Sequence, residues 1–220
     1  MATVVVTGAS RGIGLELCKV FMQRGDTVFA VCREASDALR ESGAKVVEGV
    51  DVAADDAGAR MAAALDGCAI DVLINNAGVF GDTVLGEIDY AEVLRQFTVN
   101  ALAPLRITEA LLPNLSRGAK VAMITSRMGS MADNGSGAYY AYRMSKAALN
   151  AAGVSLARDL APRGVMVALL HPGFVQTRMV GFAGDISPVE AAQRLAARID
   201  EMTPENSGGF RHSNGDALPW

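Results

Sequence analysis

Six short runs dominated by β-branched and other apolar residues recur along the chain with helical stretches between them: Val4–Val6, Val28–Val31, Val46–Val50, Val72–Ile74, Val121–Ile124 and Val165–Leu170. Runs this short and this apolar suit strands covered on both faces, and the intervals are long enough for crossover helices. The pattern therefore confines the chain to an α/β fold, a doubly wound parallel sheet flanked by helices on both sides. A short seventh strand is expected around Gly209–His212. The first helix follows Gly12, carries Ile13, Leu17, Val20 and Phe21 on one stripe and ends near Gly25. Further helices are expected at 54–66, 87–115, 137–161 and 187–202. Pro162, Pro172 and Pro188 mark helix exits and loops, and no stretch has the composition of a linker, so residues 1–220 read as one domain.

Composition excludes several classes of function. A net charge of −4 and a pI near 5.2 give no electrostatic footprint for nucleic acid. Every apolar run is broken by Gly, Asp or Arg well short of the roughly 18 to 20 residues of a membrane helix, so no membrane partner is expected. The N-terminal sequence enters its first strand without the basic and apolar regions of a secretory signal, which leads to a cytoplasmic expectation. Cys18, Cys32 and Cys68 are odd in number and far apart; they read as buried thiols rather than a disulfide or zinc framework. Two histidines do not make a metal cluster, so no metal is expected.

The first strand runs into Thr7-Gly8-Ala9-Ser10-Arg11-Gly12-Ile13-Gly14, where the first helix starts. Glycines at a strand-to-helix junction supply a tight turn and close backbone approach, and the free N–H groups of the helix start favour a pyrophosphate. Dinucleotide folds select their cofactor at the end of the second strand, where a carboxylate takes the adenosine ribose hydroxyls and a basic residue takes a 2′-phosphate. Here that strand ends Ala30-Val31-Cys32-Arg33, with no acidic residue before Glu34. Arg33 and Arg11 together suit a dianionic phosphate through charge-assisted hydrogen bonds, which favours NADP(H).

Tyr142 and Lys146 are four residues apart in the expected 137–161 helix and so project from one face on successive turns. A phenol is a weak acid at neutral pH, and a neighbouring ammonium moves it towards the working range. Among Tyr139, Tyr140 and Tyr142, only Tyr142 has a lysine four residues on. Ser126 follows the fifth strand, at the carboxyl edge where such sheets bind ligands, and its hydroxyl suits a substrate carbonyl.

With these pieces in order, the sequence resembles the short-chain dehydrogenase/reductase family over essentially its whole length. The matching segments are Thr7–Gly14 as T-G-x-x-x-G-x-G, Asp51-Val52, Asn75-Asn76-Ala77-Gly78, Asn100, Ser126, Tyr142-x-x-x-Lys146 and Pro172-Gly173-x-x-x-Thr177. The ending Asp216–Trp220, together with the segment Ser126–Ser130, is similar to the small C-factor-like branch, near carbonyl-reductase and sniffer-type members. The resemblance implies a Rossmann-type fold. It also implies roles: Tyr142 as general acid in reduction and base in oxidation, Lys146 lowering its pKa and binding the nicotinamide ribose, Ser126 orienting the carbonyl, and Asn100 holding a water in the proton relay. The cofactor set implied is Gly8, Ser10, Arg11, Gly12, Ile13 and Gly14 in the first loop, Arg33, Asp51 and Val52 around the adenosine, Asn76, Ala77 and Gly78 beside it, and Tyr142, Lys146, Pro172, Gly173, Val175 and Thr177 towards the nicotinamide. Ser126 precedes Tyr142 by sixteen residues, about three more than in many members of the family; Ser130, at twelve, competes, but Ser126 is preferred because Ser-x-x-Gly directly follows the strand.

The expected activity is reversible hydride transfer between NADP(H) and the carbonyl or alcohol carbon of a small substrate, with reduction of a hydrophobic aldehyde or ketone favoured. Met128, Met131, Met179, Val180 and Phe182 are candidates for an apolar wall, and His171 reads as a packed histidine. The alternative is a nucleotide-binding signalling or redox-sensing protein with little turnover. Ala147, Ala148, Ala151 and Ala152 would permit close helix pairing in a homodimer or homotetramer, although monomers occur in related branches.

Overall fold

The computed structural model describes residues 1–220. Strands β1 (Thr3–Thr7), β2 (Thr27–Val31), β3 (Lys45–Val47), β4 (Ile70–Asn75), β5 (Leu115–Ile124), β6 (Met166–His171) and β7 (Phe210–His212) form one sheet in the order β3-β2-β1-β4-β5-β6-β7. All six neighbouring pairs are parallel. The doubly wound sheet expected from the β-branched runs is the sheet that forms. Its order reverses between β1 and β4, and the crevice outside their carboxyl ends is where such sheets take ligands.

Alternation along the strands feeds two cores. Val4 and Val6 join Leu17, Phe21, Leu195 and Ile199 under α1 (Gly12–Gln23) and α7 (Pro188–Asp200), while Val5 turns to the opposite face with Leu73, Val121, Leu149 and Leu160. That second face carries α3 (Ala57–Leu65), α4 (Tyr90–Phe97), α5 (Ala103–Ala110) and α6 (Tyr140–Leu160). One short helix, α2 (Asp37–Arg40), is not legible as a periodic pattern; Ser36 starts it by accepting from the Leu39 amide at 3.2 Å.

The expected 87–115 helix needs correction. It is broken into α4, a π-helical turn at Thr98–Leu102 and α5, and Leu115 already belongs to β5, which starts before Val121. Pro104 has no N–H to give to the α-helical ladder, and the wider turn ahead of it absorbs the mismatch. The third strand is shorter than the expected Val46–Val50: Gly49 takes φ +79°, which ends the extended run at Val47. The expected 137–161 helix begins only at Tyr140, because Gly137, Ala138 and Tyr139 are all left-handed, at φ +64°, +52° and +53°. Two of these are non-glycine residues, and such a backbone costs about 1–3 kcal/mol per residue, so the surroundings must hold it in place.

Candidate active site

The floor of the crevice is built from backbone and small residues. Gly8 has φ +66°, and a Cβ there would lie 2.8 Å from the Cα of Ala77. A Cβ on Gly14 would fall on the Gly8 carbonyl oxygen and 2.6 Å from the Asn76 amide nitrogen. Only glycine lets the first loop, α1 and the loop after β4 lie this close. Thr7 Oγ1 accepts from the Asn76 and Ala77 amides at 3.0 and 3.1 Å, and Asn76 Nδ2 donates to the Thr7 and Gly8 carbonyls at 2.9 and 3.3 Å. Asn76 therefore ties the two loops together. Thr177 bounds the other side, its methyl carbon 3.4 Å from where a Gly12 Cβ would stand.

At the rim, Arg11 and Arg33 are exposed, and neither takes part in an ion pair. Arg11 stands at the N-cap of α1, and Arg33 two residues beyond β2. The side chain of Asp51 closes its own turn by accepting from the Ala53 amide at 3.0 Å, and Val52 packs on the core edge.

The chemical end lies at the carboxyl ends of β5 and β6. Lys146 is 4% exposed, and its Nζ donates to the Ile124 carbonyl at 2.9 Å. The same Nζ is 5.8 Å from the Tyr142 ring centroid. Burial pulls the lysine down to about 8 and pushes the Tyr142 phenol up to about 12, with the neighbouring Ser126 hydroxyl pulling the phenol partly back. Burial is the largest influence on both groups.

Ser126 leaves β5 in extended geometry and accepts from the Met128 amide at 3.2 Å, which keeps its own proton free to donate. Ser130 is 3% exposed and turned towards its own loop, where it accepts from the Asp133 amide at 3.1 Å. Gly129 lets this turn lie on α6, since a Cβ there would sit 2.7 Å from the Lys146 carbonyl carbon. Asn100 lies in the π-helical turn and is fully buried. Its Oδ1 accepts from the Val79 amide at 2.8 Å, and its Nδ2 donates to the Val79 carbonyl at 2.9 Å and to Ser145 Oγ at 3.0 Å. Gly78 lies close by: a Cβ there would stand 3.3 Å from Asn100 Oδ1 and 3.8 Å from Lys146 Nζ.

The β6 exit carries Pro172, Gly173, Val175 and Thr177. Val175 is buried and bridges Ile186, and the Pro172 carbonyl accepts from Ser213 Oγ at 2.8 Å. His171 is 7% exposed, edge-on to His212 at 4.8 Å, with Nδ1 unpartnered; burial, helped by His212, drives it down to about 3. Of the expected apolar wall, Met131, Met179 and Phe182 are exposed. Sequence reasoning passed over Phe80, whose ring meets Tyr142 edge-on at 4.9 Å, and Thr83, which is buried against the start of α6. The one available signal was position, since both follow the Asn75–Gly78 segment directly.

A glycine loop at the sheet reversal together with a half-buried tyrosine beside a buried lysine defines a nucleotide-dependent oxidoreductase site. The model of the short chain dehydrogenase family matches residues 2–187, and the chain belongs to that family. Among its relatives, the 1-hydroxy-2-glutathionyl-2-methyl-3-butene dehydrogenase of Rhodococcus sp. (strain AD45) is 42% identical over 226 residues, covering 100% of both chains. The C-signal protein of Myxococcus xanthus is 51% identical over 154 residues, 69% of this chain and 93% of that one. The structure of a carbonyl reductase from Pseudomonas aeruginosa PAO1 in complex with NADP is 36% identical, with a TM-score of 0.84 over 100% of both chains. These similarities bear out the family and the C-factor and carbonyl-reductase branch expected from the sequence. No helix is long and apolar enough to cross a membrane.

Proposed function

We propose that the protein is an NADP(H)-dependent carbonyl reductase acting on small hydrophobic aldehydes or ketones. The observation that carries this reading is the convergence of Ser126, Tyr142 and Lys146 at the carboxyl end of β5, beside a glycine floor with no room for side chains. The residues present fit a dinucleotide. The start of α1 offers unpaired N–H groups to a pyrophosphate, and two exposed arginines without acidic partners suit a 2′-phosphate.

When bound, the cofactor supplies the hydride. The chain's own groups handle the proton and the geometry. Tyr142, with a phenol at about 12, keeps its proton at neutral pH and donates it to the carbonyl oxygen. This state suits reduction; oxidation of an alcohol needs the phenolate and is favoured as pH rises. Ser126 donates a hydrogen bond to the same oxygen and stabilises the charge that develops on it. Lys146, anchored by Ile124, supplies positive charge one helical turn from the phenol. Asn100 is a strut whose amide is committed to Val79 and Ser145. Exposed Phe174, Met179, Phe182 and Met131 offer apolar surface around the entrance.

The deciding experiment is an NADPH-consumption screen over aldehydes, ketones and quinones, with Tyr142→Phe as the blank. Tyr142-dependent turnover supports the reading, and tight NADPH binding without substrate-dependent turnover across the panel would overturn it in favour of a sensor. Pairing of two copies through α4 and α6 is also proposed, on the exposure of Tyr90, Leu94 and Met144; Leu94→Asp should then lower the sedimenting mass.

A further inference from the structure

We propose that Thr83 is a positioning residue for Tyr142: it caps the catalytic helix from the opposite wall of the site and holds the left-handed entry into that helix. The inference rests on the reading of Tyr142 as proton donor.

Helix α6 starts without a cap of its own. Tyr139, at its N-cap, makes no side-chain capping bond and is left-handed, as is Ala138 before it. The cap comes from 58 residues away, where Thr83 Oγ1 accepts from the Ala141 amide at 3.0 Å. The Thr83 carbonyl accepts from the Tyr139 amide, also at 3.0 Å. Ala141 is the second residue of the helix, the position whose amide a local Ser, Thr, Asp or Asn would normally serve. Thr83 is 3% exposed, so this polar side chain is buried for the sake of that bond.

The segment that carries Thr83 is itself anchored. Val79 exchanges two hydrogen bonds with Asn100, and Asn100 donates to Ser145 of α6. Between Val79 and Thr83, Phe80 packs its ring on Tyr139 at 5.6 Å and on Tyr142 at 4.9 Å. The 79–83 segment thus grips α6 at Ser145 through Asn100 and at Tyr139–Ala141 through Thr83, and Tyr142 lies between the two grips. Lys146, one turn deeper, is held separately by Ile124. Without the Thr83 hydroxyl the Thr83 carbonyl and the Phe80 ring still hold Tyr139, but the Ala141 amide loses its acceptor and the first turn of α6 loosens with Tyr142 in it. Ser126, Lys146 and the glycine floor stay in place. The defect falls on proton delivery, which is sensitive to displacements of about 1 Å, and not on nucleotide affinity.

The test compares Thr83→Val, which keeps shape but removes the acceptor, with Thr83→Ser, which restores it. For Thr83→Val, kcat should fall about tenfold, KM for the carbonyl substrate should stay within about twofold, and NADPH affinity should not change. The solvent deuterium isotope effect on kcat should rise as proton transfer becomes limiting, a change that loss of folded enzyme does not produce. Thr83→Ser should recover kcat to within about threefold of wild type. Wild-type kcat and isotope effect in Thr83→Val would overturn the proposal, as would equal impairment of both variants. Amide hydrogen exchange on the unmodified protein gives a reading that needs no turnover. The Ala141 amide should be protected like the interior of α6, and exchange at the rate of a frayed end would also overturn the proposal. Turnover that survives Tyr142→Phe would sink the proton-donor reading instead, a distinct outcome.

Discussion

The Lys146 ammonium donates to the Ile124 carbonyl at 2.9 Å from a position almost closed to solvent, so the helix that carries the tyrosine is pinned to the end of β5 by a buried charge. That charge is costly. The folded lysine sits at about 8 against an ordinary 10.5, so folding disfavours its protonated form. The unfolded chain binds more protons between these values, so stability rises with pH across the window. Below pH 8 the full cost, on the order of 3 kcal/mol before the Ile124 bond offsets it, is in force. Lys146→Met should therefore raise the melting temperature of the cofactor-free protein at pH 7 by a few degrees, while removing Tyr142-dependent turnover. A lower melting temperature would contradict this account of the burial cost.

Arg33 has no acidic partner, and no carboxylate stands between it and the end of β2. Arg33→Asp should weaken NADPH binding by about tenfold to a hundredfold and change NADH binding by less than about threefold. Fluorescence titration of both nucleotides checks it, and equal losses would sink the 2′-phosphate assignment.

Ser126 and Ser130 separate cleanly in the structure, because Ser126 stands beside the Tyr142 phenol while Ser130 is spent on the Asp133 amide. Ser126→Ala should cut kcat by about a hundredfold or more with NADPH affinity intact. Ser130→Ala should retain turnover. The reverse result in steady-state kinetics would reassign the carbonyl-orienting role.

His171 is buried neutral, with its pKa depressed from 6.5 to about 3, chiefly by burial and then by His212. The unfolded chain takes up a proton that the folded chain refuses, so stability is lost as pH falls through 6.5 towards 3. At pH 5 the loss is on the order of 2 kcal/mol. Urea unfolding at pH 7 and pH 5 should show this drop in the wild type and a smaller one in His171→Gln; parallel slopes would assign the acid sensitivity elsewhere.

The sheet was legible because apolar strands flanked by crossover helices have few other ways to bury themselves, and the motif residues fell on their carboxyl ends, where chemistry gathers in this fold. What escaped reading was set by contacts between distant segments. The break around Asn100 follows from Pro104, which is visible in the sequence, but whether the helix stops or widens there depends on packing. The late start of α6 follows from Thr83, a residue with no local mark of its role. The pKa values of Tyr142 and Lys146 follow from burial, which spacing alone does not give.

The bonds from Thr7 and Asn76 leave the crevice floor with little freedom before any nucleotide arrives. A floor of glycine and backbone is also uncharged, whereas Arg11 and Arg33 stand in open solvent at its rim. Shape and charge are thus held on different ground. A dinucleotide seated there would keep its pose at any ionic strength, while the strength of its hold would fall as salt screens the rim, over a Debye length of about 8 Å in physiological salt. Affinity, rather than orientation, is what the surrounding electrolyte can tune.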